Sequence, residues 1–207
     1  MSSKSKRNRS RYQQADQTEE PFDRQTIVAI SIAIEALLLL ATTAWCYFGA
    51  IDLRPLFKFN LATLLWGISA GLAISTINMA ILYLSQKLAH RLFIFQSMHD
   101  LLKHEMIPIF GQLTFADSVL LSLASGFCEE VFFRGVVEAS GGIATSSICF
   151  GLAHLPSFYY YPYALWAFAV GLVMSFLMAG TGSIFAPVAA HAMVNLISIN
   201  VLRYIKT

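Results

Sequence analysis

Residues 128–135 read CEEVFFRG and place three charged side chains, Glu129, Glu130 and Arg134, within an apolar stretch. A charged side chain at the depth of a lipid bilayer costs at least about 2.5 to 3.5 kcal/mol, and it usually faces the interior of a helix bundle or a water-filled cavity. The chain is 57% hydrophobic and 13% charged, whereas soluble domains carry about 25% charged residues. The three charges therefore indicate a functional site inside a membrane protein.

Around this stretch the sequence contains several long apolar segments. A helix needs about 20 mostly apolar residues to cross the hydrocarbon core of a bilayer. The predicted helices are Ile27–Phe48, Leu61–Ser85, Thr114–Glu138, Ile143–Leu155, Tyr163–Ala179 and Ser183–Leu202. Gly141 and Gly142 end the third of them or begin the next. We expect an all-α fold, a polytopic transmembrane bundle of about six helices with a polar intramembrane cavity.

The charge pattern divides the chain into a tail and a membrane domain. Residues 1–25 are basic and predict a disordered tail, and residues 26–207 predict a single transmembrane domain. Residues 87–113 mix basic side chains and histidines with apolar residues, which is typical of an amphipathic connector on the membrane surface. Both termini are predicted to be cytoplasmic. A cluster of tyrosines indicates a membrane–water interface; its members are Tyr159, Tyr160, Tyr161 and Tyr163.

Helical spacing separates the two glutamates. Glu130 and Arg134 are four residues apart, so they lie on one face of a helix and can neutralise each other. Glu129 lies about 100° around that helix, and no cation at helical spacing pairs with it. A carboxylate placed in this way is suited to take a proton from water.

Two histidines occur at the same spacing in later apolar segments. FGLAH places Phe150 four residues before His154, and HAMVN places His191 four residues before Asn195. Taken singly, either histidine is more typical of a hydrogen-bonded packing residue. Imidazoles move protons and an amide can stabilise an oxyanion, so together with Glu129 these groups provide what hydrolysis of a peptide bond requires.

The segments EEVFFR, FGLAH and HAMVN, in this order, resemble the motifs EExxxR, FxxxH and HxxxN of the CPBP family. This family comprises the CAAX proteases and the bacteriocin-processing enzymes, also called the Abi family. The resemblance covers a motif core of residues 115–196. It implies an intramembrane endopeptidase that hydrolyses a peptide bond of a membrane-associated protein or peptide. Eukaryotic members cleave prenylated proteins, but nothing in this sequence indicates recognition of a prenyl group.

The resemblance implies four catalytic residues and three supporting ones. Glu129 would activate water and His154 would position that water, while His191 and Asn195 would stabilise the oxyanion. The supporting residues of the same motifs are Glu130, Arg134 and Phe150. The two charged members of this group would hold the first glutamate in place.

Metal dependence is open because the family has been described both as metalloproteases and as glutamic-type proteases. Glu129, His154 and His191 could form a zinc site with an open position for water. However, HExxH is absent from the sequence, and neither histidine has a second ligand four residues away on its own helix. We expect catalysis without a metal or other cofactor, with zinc as the alternative.

Other interpretations of the polar residues inside the membrane remain. They could only hold helices together, in a non-catalytic membrane scaffold or bacteriocin-immunity protein. A transporter is disfavoured because the chain is short and lacks an inverted repeat of broken helices. Glu35 is a further acid in the first segment; it could gate the cavity, pair with Arg134, or hydrogen-bond to other helices.

The expected environment follows from the apolar segments. We expect a multi-pass integral membrane protein of the plasma (inner) membrane of a prokaryote. Its expected partners are the lipid bilayer and a membrane-associated substrate. The basic residues outside the tail are scattered over loops, so no nucleic-acid partner is expected.

Overall fold

The computed structural model describes residues 23–205 of the chain, and this part contains helices and no strand. The α-helices are α1 (Arg24–Gly49), α2 (Leu61–Leu88), α3 (Phe93–Leu101), α4 (Ile107–Phe110), α5 (Phe115–Glu130), α6 (Glu138–Ala153), α7 (Tyr161–Thr181) and α8 (Phe185–Tyr204). Two π-helical turns, Leu102–Met106 and Val131–Val137, join α3 to α4 and α5 to α6. Short 3-10 turns occur at Arg54–Leu56 and Phe158–Tyr160.

Five helical runs are long and apolar enough to cross a membrane. They are Arg24–Gly49, Leu61–Leu88, Phe115–Ala153, Phe158–Thr181 and Phe185–Tyr204. The predicted all-α polytopic bundle is therefore confirmed, and the protein is an integral multi-pass membrane protein. The cytoplasmic location of both termini stays a prediction.

The predicted third and fourth helices form one run of 39 residues that is broken at Gly142. An unbroken helix of that length would measure about 58 Å, well beyond the thickness of a bilayer. Gly142 has φ 79° and ψ 174°, a conformation that side chains with a Cβ rarely adopt. The predicted break at Gly141 and Gly142 is thus present, and it lets the run change direction.

The first helix begins close to the end of the predicted tail. Asp23 caps α1 by accepting a hydrogen bond from the backbone N–H of Thr26, so the helix includes the last two residues assigned to the tail. Arg24 forms two hydrogen bonds to Asp117 at the start of α5, with distances of 2.6 and 2.8 Å. The disordered tail was predicted for residues 1–25, and its residues 1–22 lie outside the described residues, as does Lys206.

Small residues let α8 pack closely against two other helices. A Cβ added to Gly71 of α2 would lie 2.7 Å from the backbone oxygen of Ala190, and one added to Gly126 of α5 would lie 2.8 Å from the backbone nitrogen of Ala192. Gly67 makes a similar approach one turn before Gly71. This spacing of glycines is typical of closely packed membrane helices. It fixes the position of α8, which carries the third motif.

The turn before α8 is tied to the loop between α1 and α2. Gly182 ends α7 with φ 63°. The Ser183 hydroxyl donates a hydrogen bond to the backbone oxygen of Lys58 (2.8 Å). The backbone N–H of Ile184 donates a hydrogen bond to the backbone oxygen of Leu56 (2.9 Å). These hydrogen bonds fix where α8 begins, and the close contacts with the glycines fix which of its faces meets α2 and α5.

The predicted connector is helical and packs on the turn before α7. Ser97 donates a hydrogen bond to the backbone oxygen of Tyr159 (2.8 Å), and the Tyr159 hydroxyl donates to Asp100 (2.7 Å). Met98 and Leu101 are buried, while the opposite face of α3 is exposed at Ile94. The connector therefore has one face that covers the interior of the bundle.

Candidate active site

The first motif lies where α5 continues into the π-helical turn Val131–Val137. Glu129 and Glu130 are the last residues of α5, and Arg134 lies within the turn. Such turns occur frequently at functional sites because they shift the side chains that follow them. Glu130 and Arg134 are 0% and 1% exposed, so both charges are fully inside the bundle.

Glu130 connects the first motif to the third. Its Oε1 accepts hydrogen bonds from Nη1 of Arg134 (3.2 Å) and from Nδ1 of His191 (2.7 Å). Nη2 of Arg134 donates to the backbone oxygen of Gly171 (2.9 Å). The predicted pair of Glu130 and Arg134 is confirmed. We expected this pair to hold Glu129, but its contacts run to His191 and α7 instead, because Glu130 faces α8.

Phe150, the first residue of the second motif, packs among the polar side chains. Its ring centroid lies 4.4 Å from the guanidinium carbon of Arg134, so the cation rests on an aromatic face. The same ring lies 4.4 Å from that of His154 and 5.8 Å from that of His191. Phe150 is therefore placed where it can support both histidines.

His154, the histidine of the second motif, faces Glu129. Nε2 of His154 lies 4.0 Å from Oε2 of Glu129. Nδ1 of His154 is 2.9 Å from the backbone oxygen of Phe150. Because a carbonyl oxygen only accepts hydrogen bonds, Nδ1 carries the hydrogen, and Nε2 is the ring atom directed at Glu129. Both side chains are partly exposed, in contrast to the buried Glu130.

The third motif places an imidazole and an amide on one face of α8. His191 is buried, and its Nδ1 is held by Glu130, which leaves Nε2 as the free ring nitrogen. One turn later, Nδ2 of Asn195 donates a hydrogen bond to the hydroxyl of Ser125 on α5 (2.8 Å). Both side chains are thus oriented by contacts to α5.

A cavity of about 390 Å³ joins these groups. All four predicted catalytic side chains line it: Glu129 from α5, His154 from the end of α6, and His191 and Asn195 from α8. The rest of the wall is mainly apolar, and it includes Leu82, Met98, Leu101, Met106, Phe110 and Met174. The structure therefore brings together side chains that are up to 66 residues apart in the sequence, between 129 and 195.

These side chains lie within a segment that matches a known protein family. Residues 111–197 match the family of type II CAAX prenyl endopeptidases, Rce1-like. The predicted resemblance to the CAAX proteases is confirmed. The chain is also similar to the uncharacterized protein YpbD of Bacillus subtilis (strain 168), with 25% identity over 96 residues, 46% of this chain and 51% of that protein. The chain thus spans about half the length of this curated relative. No solved structure matches.

The Rce1-like segment also contains site residues that the sequence analysis missed. Ser125 lines the cavity and holds Asn195; it lies four residues before Glu129, so helical spacing alone could have identified it. Tyr163 was predicted at the water interface with its neighbours, but it lines the cavity, and its ring lies 6.0 Å from that of His154. No spacing rule distinguishes it from the exposed Tyr159 and Tyr161.

Outside the Rce1-like segment, α1 contributes one acid to the same cavity. Glu35 lines the cavity and is 9% exposed. It does not pair with Arg134, because the guanidinium is already bound by Glu130 and the backbone oxygen of Gly171. Oε2 of Glu35 has no hydrogen-bond partner among residues 23–205.

Zinc was the alternative to metal-free catalysis, with Glu129, His154 and His191 as its ligands. In the described part of the chain, no group of three His, Cys, Asp or Glu side chains is arranged to hold a metal ion. Glu129, His154 and His191 line one cavity, and the contacts of Nδ1 to Glu130 and to a backbone oxygen leave Nε2 of both histidines free. Metal-bound histidines are commonly held in this way, so these contacts do not exclude a metal ligand. Because no three of these groups are arranged as a metal site, no step is derived through a metal, and catalysis without a metal stays a prediction.

Proposed function

We propose that the chain is an intramembrane endopeptidase that cleaves a membrane-associated protein or peptide by means of water activated by Glu129. The single observation that carries this proposal is the cavity that Glu129, His154, His191 and Asn195 line together. The match of residues 111–197 to membrane peptidases supports it. Catalysis is of the glutamic type, without a metal ion.

Activation of water begins between Glu129 and His154. The separation of 4.0 Å between Oε2 and Nε2 is too long for a direct hydrogen bond but short enough for one water molecule to bond to both atoms. Glu129 takes a proton from this water as its oxygen attacks the carbonyl carbon of the substrate. His154 positions the water because its ring is fixed through Nδ1.

Negative charge then develops on the substrate's carbonyl oxygen. Nδ2 of Asn195 has a second hydrogen besides the one donated to Ser125, and this hydrogen is available to the oxyanion. His191 donates from Nε2 when its ring is protonated, a form that the Glu130 carboxylate 2.7 Å away stabilises. Donors fixed in advance in a dry site stabilise such charge strongly.

Collapse of the tetrahedral intermediate breaks the C–N bond. Glu129 returns the proton that it took from water to the leaving nitrogen, so the products are a carboxylic acid and an amine. The acid then loses its proton to the amine or to the solvent. The carboxylate of Glu129 is regenerated, and no covalent bond to the protein forms. This cycle uses only side chains that line the cavity.

The apolar wall supports a substrate that enters from the bilayer. Leu82, Met98 and Met106 present apolar surface beside the polar groups, which suits a hydrophobic peptide segment. We place the protein in the plasma membrane of a prokaryote, and the similarity to a Bacillus subtilis protein supports this location.

The test is cleavage by purified protein in liposomes. A library of synthetic membrane-associated peptides is incubated with the wild type and with Glu129→Gln, and new termini are identified by mass spectrometry. We expect cleavage by the wild type and loss of about 10³-fold or more in the variant, because the base is removed. Glu105→Gln serves as the control, since it removes an exposed carboxylate that does not line the cavity. Cleavage by Glu129→Gln at the wild-type rate would overturn the proposal.

A further inference from the structure

Glu35 is a buried acid that the proposed reaction does not use. It belongs to α1, outside the segment that matches the peptidase family, yet it lines the same cavity as Glu129. Its side chain is more than nine-tenths buried, and Oε2 has no hydrogen-bond partner within the described residues. Buried polar atoms nearly always have a partner, so an unpaired oxygen that borders a cavity indicates a missing ligand group.

The charged side chains around the cavity indicate whether that ligand group is positive or negative. Among the described residues that line it, the ionisable side chains are Glu35, Glu129, His154, Tyr163 and His191, and none is a lysine or arginine. The nearest motif cation, Arg134, does not line the cavity, and its charge is already balanced by Glu130. The cavity therefore presents more negative than positive charge, and it favours a cation.

The shape of the wall indicates the kind of cation. Lysine and arginine have apolar stems that can follow hydrophobic surface while the charged tip reaches a polar partner. On α1, Ser31 lies one turn before Glu35 and also lines the cavity. The wall contributed by α2 includes the apolar Met79 and Leu82 beside Asn78, whose Oδ1 accepts a hydrogen bond from Trp166. A basic side chain fits this arrangement better than a hydrated inorganic ion, which would need several oxygen ligands.

We infer that Glu35 binds a lysine or arginine side chain of the substrate and thereby selects which peptides are cleaved. The inference rests on the proposed function, because the cation belongs to a peptide held in the catalytic cavity. Pairing is favourable there because an ionised carboxylate without a partner is costly inside a membrane. Substrates that carry a basic residue near the scissile bond are therefore preferred over uncharged ones of equal size.

The test uses sets of three matched peptides, one set for each position near the scissile bond. Within a set, the peptides differ only at that position, which carries lysine, norleucine or glutamate. Norleucine keeps the apolar stem of lysine and removes the charge. We expect the wild type to cleave the lysine peptide with a kcat/KM about 10- to 100-fold above that for norleucine, and to reject the glutamate peptide. Equal values for the lysine and norleucine peptides at every position near the scissile bond would overturn the inference without any variant.

The role of Glu35 itself is tested by substitution. Glu35→Gln is expected to bring the lysine-to-norleucine ratio close to one, and Glu35→Lys to favour the glutamate peptide. Glu105→Gln is the matched control and keeps the wild-type ratio. If Glu35→Gln lowers cleavage of the lysine and norleucine peptides equally, Glu35 acts in catalysis or folding and the inference is wrong.

Binding separates this inference from the proposed reaction. In the Glu129→Gln background, the lysine peptide is expected to raise the thermal unfolding temperature more than the norleucine peptide, and adding Glu35→Gln removes the difference. Equal stabilisation by both peptides counts against Glu35 even if catalysis is as proposed. Conversely, full cleavage by Glu129→Gln would remove the proposed mechanism while leaving a measured charge preference intact.

Discussion

The buried pair of Glu130 and Arg134 contributes more to orientation than to stability. Oε2 of Glu130 and Nε of Arg134 have no hydrogen-bond partner in the part of the chain that the structure describes, so the pair is only partly satisfied. A buried ion pair is often no more stabilising than apolar residues of the same size. Because Glu130 also fixes Nδ1 of His191, we infer that the pair is present to orient the imidazole.

Removing one partner of this pair should be strongly destabilising. Arg134→Met removes the permanent cation beside the buried Glu130 and leaves only His191 as its partner, and we expect a loss of about 3 to 5 kcal/mol in the free energy of unfolding. The measurement is reversible unfolding in detergent with increasing denaturant. The double variant Glu130→Gln with Arg134→Met is the control, and it should recover part of the loss. A single variant as stable as the wild type would contradict the assigned pairing.

Asn195 should affect catalysis with little effect on folding. Asn195→Ala removes one proposed donor to the oxyanion, so we expect kcat to fall about 10²- to 10³-fold with KM nearly unchanged. Ser125→Ala removes only the hydroxyl that holds the amide and should cause a smaller fall. Steady-state kinetics on a cleaved peptide provide the measurement. A rise in KM at constant kcat would instead assign Asn195 to substrate binding.

At the scale of the helices, α8 is positioned by backbone contacts as well as by side chains. Gly71 and Gly126 permit close approach from α2 and α5, and the hydrogen bonds at Ser183 and Ile184 fix where the helix begins. His191 therefore reaches Glu130 because of packing on both sides of α8. The position of His191, which is proposed to be catalytic, thus depends on glycines that do not line the cavity.

The break at Gly142 should depend on the backbone conformation of this residue. Nothing lies within 4 Å of a Cβ added there, so Gly142→Ala has room, but φ of 79° is strained for alanine. We expect a loss of about 1 to 3 kcal/mol in the free energy of unfolding. Gly180→Ala is the matched control, since it also has open space and its φ is not positive. Equal effects of the two substitutions would show that the break is not required.

The sequence predicted the elements better than their contacts. Apolar length identified the spans, the glycine pair identified the break, and four-residue spacing identified the pairing of Glu130 with Arg134. Spacing could not reveal that Glu130 contacts His191, because that contact depends on how α5 and α8 are rotated against each other. The same reason hid the placement of Tyr163, and the π-helical turn at Val131–Val137 has no simple signature in the residues.

At the scale of the whole molecule, the cavity that contains the candidate site has a wall that combines segments inside and outside the peptidase match. The Rce1-like segment contributes the four side chains proposed to be catalytic, while α1, α2 and the connector add Glu35, Leu82 and Met98. Because the connector covers part of the cavity, the apolar wall is completed by residues that carry no motif. We therefore expect substitutions in the first 110 residues to affect which substrates are cleaved more than they affect the chemical step.

Metal-free catalysis in this cavity predicts how activity responds to a chelator. If Glu129 and His154 activate water without a metal, EDTA should leave the cleavage rate of the protein in liposomes unchanged. Added zinc should then not increase the rate. Loss of activity with EDTA and its recovery with zinc would replace this mechanism with a metal-dependent one.

The central claim is that Glu129 and His154, from separate helices, act on one water molecule. The most direct measurement is a double-mutant cycle on kcat/KM with Glu129→Gln, His154→Ala and both together. Residues that act as a unit are strongly non-additive, so the double variant is expected to be no slower than the slower single variant. Losses that multiply, as for two independent sites, would contradict the claim.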